Sequence, residues 1–335
     1  MSRIIQRIPR SFAAPSGGGV SAPFLGAALV GTPFFRQWNF STGYSTVPDP
    51  ATLPTGIGYA VDYSLDGLYV AVAHDFQSSV SLTIYNPNDL SAPPVQINTG
   101  GDCQIARFSP DGLYLATYSR ITNELTVYNV GTWTIAASKS ITGATSQFND
   151  SEAMAWTPNS SEVWICVRSA PFLSIFPVAT WIEDTSFSPG LRPDAIAFSP
   201  DGKLISLAFS ASPFVSFYSR TNSNGIIPGA PDIHTNGQNS CGFSPDSLRY
   251  LGHANNRAEL YDVVESGLST TVTEEPTNLF KSASANSRYK LDGTVFVVVG
   301  TGSPFVYIFD STSPYAEPVV IPDTQSANSS GWGPE

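Results

Sequence analysis

The 335-residue sequence has few charged residues and very little lysine. Asp, Glu, Lys and Arg make up 13% of it, about half of the roughly 25% that is usual for a globular protein. The only lysines are Lys139, Lys203, Lys281 and Lys290, and the net charge is −11. Nucleic acids and anionic membrane surfaces are bound through basic footprints, so this composition argues against both as partners.

Cysteine and long apolar runs are also scarce. Cys103, Cys166 and Cys241 form no CxxC pair. An odd and sparse set does not build a disulfide framework, so we expect buried free thiols. No stretch approaches the ~20 apolar residues of a membrane-spanning helix. The first ten residues contain three arginines without a following apolar core, which is not the pattern of a secretory signal. We therefore expect a soluble protein that is made and assembled in the cytoplasm.

The clearest feature that is present is a repeated turn. Ser109-Pro110-Asp111-Gly112 and Ser199-Pro200-Asp201-Gly202 are full copies, and looser copies occur along the whole chain. The third position of the turn falls at 66, 111, 159, 201, 246, 292 and 335, at intervals of 42 to 48 residues. A period of this length is typical of a repeat architecture. We refer to this third position as the reference position of each unit.

An aromatic residue stands three positions before each reference position. Large aromatic rings fill the space between neighbouring sheets, so the pattern predicts that these rings pack between repeat units. The alternative is that they form an aromatic binding surface. The seven residues are Tyr63, Phe108, Trp156, Phe198, Phe243, Tyr289 and Trp332.

Each repeat unit contains four short strand signals. In residues 99–143 these signals cover 104–109, 113–118, 124–128 and 133–138. Four strands in about 45 residues are typical of one blade of a β-propeller. The sequence therefore predicts an all-β fold, a seven-bladed β-propeller of four-stranded blades that covers residues 22–335.

The two ends of the repeat region complement each other. Residues 329–335 contain an opening strand and turn with nothing after them, and residues 22–35 continue a unit that has no opening strand. We therefore predict that the C-terminal strand pairs with the N-terminal strands and closes the ring, since closure leaves no exposed sheet edge at the seam.

The repeats resemble a known group of proteins. The Ser-Pro-Asp-Gly turns followed by apolar strands, together with strand ends such as Tyr85-Asn86 and Tyr261-Asp262, are similar to bacterial and phage WD40-like seven-bladed propellers over residues 22–335. The resemblance implies the fold and implies little about function. The Gly-His and Trp-Asp signatures of eukaryotic WD40 repeats are absent at the corresponding places.

Residues 1–21 differ from the repeats in charge. This segment contains basic residues and no acid, and the first acidic residue of the chain is Asp49. The basic and apolar side chains, followed by the hinge Gly17-Gly18-Gly19, predict an arm that docks on another protein, and the alternative is a terminal tail without a role. The predicted contact residues are Arg3, Ile4, Ile5, Arg7, Ile8, Arg10 and Phe12.

No constellation of reactive residues is evident. His74, His234 and His253 fall in separate units without metal-ligand spacing, and no nucleophile elbow or phosphate-binding loop occurs. Asp150, Glu152 and Asp194 lie near opening strands, where they could face the centre of the molecule or simply be solvated. We expect no catalytic residue, no metal and no cofactor.

These observations favour a non-enzymatic structural or interaction protein. The leading hypothesis is a bacteriophage virion component of the capsid or tail, present in several copies and docked on other virion proteins through its arm. The alternatives are a hydrolase of lactonase type that uses the centre of the propeller, and a soluble bacterial ligand-binding propeller. The opening turns of all units are expected on one face, from which the arm also emerges.

Overall fold

The computed structural model describes residues 24–30, 34–50, 56–144, 152–220, 225–226, 238–254, 257–264, 267–269, 284–290, 293–300, 306–311, 318–321 and 327–332. These residues form 27 strands and one short 3-10 helix, Phe40–Thr42. The class is therefore all-β. No helix among the described residues is long and apolar enough to cross a membrane. The predicted arm, residues 1–21, lies outside the described residues.

The strands form seven antiparallel sheets, and each sheet draws its strands from one repeat unit. Sheet 1 contains β27 (Ala327–Trp332), β1 (Phe24–Leu29), β2 (Phe35–Asn39) and β3 (Ser45–Thr46). Sheet 2 contains β4 (Gly58–Tyr63), β5 (Val70–Gln77), β6 (Val80–Tyr85) and β7 (Val95–Ile97); sheet 3 contains β8 (Cys103–Phe108), β9 (Tyr114–Ser119), β10 (Glu124–Asn129) and β11 (Ile135–Ser140); sheet 4 contains β12 (Met154–Trp156), β13 (Glu162–Cys166) and β14 (Leu173–Pro177).

Sheet 5 contains β15 (Pro193–Phe198), β16 (Leu204–Phe209), β17 (Val215–Ser219) and β18 (Gly225–Ile226); sheet 6 contains β19 (Gln238–Phe243), β20 (Arg249–Ala254), β21 (Arg257–Val264) and β22 (Gly267–Ser269); sheet 7 contains β23 (Ser284–Tyr289), β24 (Val295–Gly300), β25 (Val306–Asp310) and β26 (Val319–Ile321). We call β27, β4, β8, β12, β15, β19 and β23 the opening strands, because each precedes the repeated turn.

The predicted seven-bladed propeller with a closed ring is wrong. The strands form seven separate open sheets, none of which is closed or curled, and sheet 4 has three described strands where four were expected. Each sheet is a run of antiparallel neighbours, so its ladder of strand hydrogen bonds ends at its own edge strands. The C-terminal strand does pair with β1, with Gly26 opposite Gly331, but the resulting sheet is another open sheet of four strands.

The repeated turn owes its shape to its own side chains. The Ser199 hydroxyl donates to Asp201 Oδ1 over 2.6 Å, and the backbone N–H of Lys203 donates to the same oxygen over 3.1 Å. Gly202 adopts a φ of +74°, a conformation that costs glycine little. Equivalent bonds recur at Asp66, Asp111 and Asp246. The aspartate of the turn therefore has a local structural role.

A second backbone feature recurs in the opening strands. The pairing with the next strand skips one residue in six of the seven sheets, which is a β-bulge. Bulges re-aim a side chain and are common next to functional sites. The skipped residues all stand seven positions before the reference position, and they are Tyr59, Gln104, Asp194, Asn239, Ala285 and Asn328.

Candidate functional site: a buried charge cluster between sheets

Three opening strands carry a charged residue at one repeat position, four residues before the reference position. These residues are Asp62 on β4, Arg107 on β8 and Arg288 on β23. Glu152 lies just before β12, at the repeat position that carries the bulge in the other sheets. The four residues belong to sheets 2, 3, 4 and 7, and the structure brings them together. We call them the central charge cluster.

The cluster is a chain of short ion pairs. Arg288 Nη1 lies 2.9 Å from Asp62 Oδ1, and Arg288 Nη2 lies 3.0 Å from Glu152 Oε1. Arg107 Nη2 reaches the same Glu152 oxygen over 2.7 Å. The side chains of Arg107 and Glu152 are only 7% and 9% exposed, so water screens this pair weakly. One glutamate thus bridges two arginines from sheets that are far apart in sequence.

Backbone groups of β8 complete the arrangement. Asp62 Oδ2 accepts a hydrogen bond from the backbone N–H of Phe108 over 2.8 Å. Arg107 donates through Nη1 to the carbonyl of Ala106 over 3.0 Å. The Trp156 indole N–H donates to the carbonyl of Arg107 over 3.0 Å. These bonds satisfy polar atoms that would be costly to bury without partners.

The cluster is balanced in charge, with two arginines and two carboxylates. Burial lowers the pKa of Arg107, the charge of Arg288 lowers it further, and the carboxylates of Glu152 and Asp62 oppose both effects. Burial also lowers the pKa of Arg288, but Glu152 and Asp62 outweigh it and the pKa of Arg288 lies above its usual value. Because guanidinium groups stay protonated in proteins, the arginines are fixed charges that hold the carboxylates.

The acidic residues identified from the sequence fall in three different places. Glu152 belongs to the cluster. Asp194 occupies the bulge of β15 and pairs with Arg192, whose Nη2 lies 2.8 Å from Asp194 Oδ1. Asp150 lies outside the described residues. The sequence reasoning missed Asp62, Arg107 and Arg288. Their shared position, one residue before the predicted aromatic, was the signal that could have found them.

The histidines do not join the cluster. His74 is fully buried, its Nδ1 lies 2.8 Å from the Asp75 carbonyl, and its Nε2 lies 2.9 Å from Thr83 Oγ1. Because a carbonyl only accepts, Nδ1 carries the proton and Nε2 accepts from the threonine. Burial lowers the pKa of His74, which favours this neutral ring. His234 and the side chain of His253 lie outside what the structure describes.

The three cysteines are buried free thiols. Burial raises the pKa of Cys241 to about 12 and raises that of Cys103 still further, and a high pKa leaves little reactive thiolate. Within the described part of the chain, no group of three or more His, Cys, Asp and Glu residues is placed to hold a metal ion.

Five of the seven repeat aromatics are buried, and some of their described contacts are with neighbouring sheets. Tyr63, Phe108, Trp156, Phe198 and Phe243 are each less than 10% exposed. The ring of Phe198 lies 5.4 Å from Trp164 of sheet 4, and that of Phe243 lies 6.3 Å from Phe217 of sheet 5. Tyr289 is partly buried, and the side chain of Trp332 is outside the described set.

No family model matches the chain, and no curated protein is significantly similar to it. The resemblance to WD40-like repeats therefore stays a prediction from the sequence.

Proposed function

We propose that this chain is a non-enzymatic structural protein of a bacteriophage virion, attached to its neighbours through the arm of residues 1–21. The observation that carries the proposal is that the residues of the central charge cluster bind one another. Glu152, Arg107 and Arg288 bind one another across sheets. Charged groups arranged in this way connect distant parts of a scaffold, whereas a catalytic acid or base must reach a substrate proton.

The distribution of charge supports attachment through the arm. The arm contains Arg3, Arg7 and Arg10 and no acid, while the whole chain has a net charge of −11. A basic, partly apolar segment on an acidic body binds acidic surfaces by electrostatic complementarity. The similarity of the repeated turns to those of bacterial and phage repeat proteins is compatible with a virion as the assembly, in which several copies of the chain would be present.

The test is the occupancy of this protein in purified particles. Phage that lacks the gene is complemented with the full chain, with a chain lacking residues 2–20, or with the triple variants Arg3→Ala/Arg7→Ala/Arg10→Ala and Arg3→Lys/Arg7→Lys/Arg10→Lys. Copies per particle are measured by quantitative mass spectrometry. We expect the truncation and the alanine variant to lose most of the occupancy and the lysine variant, which keeps the charge, to retain it.

Unchanged occupancy of the truncated chain would show that the arm does not attach the protein. The enzymatic alternative has a separate readout. If the purified chain hydrolysed lactones or esters and Glu152→Gln abolished this turnover without loss of folding, the non-enzymatic assignment would be wrong.

A further inference from the structure

Large apolar side chains are exposed mainly at one end of the sheets. In an antiparallel meander, the turn after the opening strand and the turn before the last strand lie at the same end, which we call the turn face. Six described apolar residues are more than half exposed, and five of them lie on this face: Leu68, Leu113, Ile135, Ile182 and Leu248. The sixth, Ile121, lies between β9 and β10 at the opposite end.

Four of these residues lie on adjacent sheets whose turns are in contact. The rings of Tyr69 and Trp133 connect sheets 2 and 3 at a distance of 5.0 Å. The backbone N–H of Asp111 donates to Ser160 Oγ over 2.9 Å and connects sheets 3 and 4. Leu68, Leu113, Ile135 and Ile182 therefore lie on neighbouring turns of sheets 2 to 4, and we call these four residues the apolar turn patch. Exposed apolar patches that are rimmed by polar residues often mark interaction sites.

Acidic groups accompany the patch. Asp66 and Asp111 are exposed and stand two residues before Leu68 and Leu113. Each carboxylate accepts bonds from its own turn, which fix its position without removing its charge. A segment that matched this surface would be apolar and basic at once.

The chain contains such a segment, and it is attached at the same face. β1 begins with Phe24 opposite Asn39, next to the turn Phe40–Thr42, and Leu25 pairs with Trp332 at the end of an opening strand. Residues 1–23 therefore join the described fold at the turn face. Fully extended, they would span up to about 75 Å. They contain the isoleucines and arginines of the arm and no acid.

We propose that in the free protein the arm covers the apolar turn patch of its own chain. Ile4, Ile5 and Ile8 replace water over Leu68, Leu113 and their neighbours, and the arginines face Asp66 and Asp111. Tethering favours the arm of the same chain over that of a second copy, since a short linker gives an effective concentration in the millimolar range. The inference does not rest on the virion assignment. A partner that binds the arm must therefore first displace it from the apolar turn patch.

Limited trypsin digestion of the full-length protein tests the proposal, because Arg3, Arg7 and Arg10 are cleavage sites within the arm. The variant Leu68→Ser/Leu113→Ser removes apolar side chains that are 54% and 59% exposed, and Ile121→Ser is a matched control that is also 59% exposed but lies on the opposite end. We expect cleavage in the arm to be about tenfold faster in the patch variant than in the wild type or the control. Mass spectrometry of the released peptides measures the rate.

Two further measurements distinguish binding of the arm to its own chain from the alternatives. Arg7→Glu should repel the acidic patch and speed cleavage at Arg3 and Arg10 without any change in the folded body. Protection in the wild type should persist on hundredfold dilution. Equal cleavage rates in all variants would overturn the proposal. Protection that disappears on dilution, together with a dimer in light scattering, would assign the arm to a second copy instead.

Discussion

Removal of Arg288 should destabilise the protein far more than removal of an arginine at the surface. The variant Arg288→Met keeps most of the side-chain volume and leaves Asp62 and Glu152 without the guanidinium that binds both, at 2.9 and 3.0 Å. Breaking a buried ion pair by removing one partner costs about 3–5 kcal/mol. The Arg288 side chain is 21% exposed, so we expect a value near 3 kcal/mol, the lower end of that range.

Urea unfolding followed by tryptophan fluorescence measures the free energy of unfolding. Arg249→Met is the matched control, since Arg249 Nε lies 3.9 Å from Asp262 Oδ1 and the two side chains are 42% and 58% exposed. Exposed pairs of this kind contribute at most about 1 kcal/mol. Equal losses in the two variants would refute the view that the cluster connects the sheets.

A double-mutant cycle sharpens the test. The variant Glu152→Gln/Arg288→Met removes one charge of each sign and leaves Arg107 and Asp62 balanced. It should lose less stability than the two single variants together, with a coupling of about 1–3 kcal/mol. Additive losses would mean that the two side chains act independently despite their contact.

Two other changes follow from local geometry. Gly58→Ala should destabilise the protein by about 1–3 kcal/mol, because the added Cβ would meet the carbonyl oxygen of Phe34. Gly242→Ala on another opening strand is the control, since its Cβ would meet nothing within 4 Å. Similar urea midpoints for the two variants would contradict this prediction. His74 should make stability fall with acid. Its folded pKa lies below the ordinary value of 6.5, so the unfolded chain binds the proton first and stability decreases as the pH drops through about 6.5. The difference in unfolding free energy between wild type and His74→Gln, measured from pH 7.5 to pH 5, should show this slope, and an unchanged difference would contradict it.

The repeat could be read from the sequence because four of its units share the same serine–aspartate turn. The predicted opening strand 104–109 is observed as Cys103–Phe108, and the predicted third strand 124–128 as Glu124–Asn129. The fourth strand was placed two residues early, since Trp133 belongs to a turn in which its φ is +56°. We inferred the closed ring from the complementary chain ends. The pairing of β27 with β1 completes sheet 1 only, and it does not join one sheet to another.

The charge cluster was harder to foresee because its members lie far apart in the sequence. Asp62 and Arg288 are separated by 226 residues, and nothing in either segment indicates the other. What they share is a position in the repeat, and comparison of the units at that position would have shown charges in three of them. Burial and pairing depend on how sheets meet, which local propensity does not determine.

The central charge cluster suggests how the sheets pack in the correct order although the repeat units are similar. Repeated sheets with similar turns and an aromatic residue at the same position are open to packing in the wrong order or with another copy. The backbone position of Asp62, Arg107 and Arg288 is filled by Ala155, Ala197 and Gly242 in sheets 4, 5 and 6. A sheet placed in the wrong order would bury a charge against a small apolar residue, at a cost of several kcal/mol. Buried ion pairs add little net stability but can specify a unique arrangement, and here they connect the first repeat units to the last.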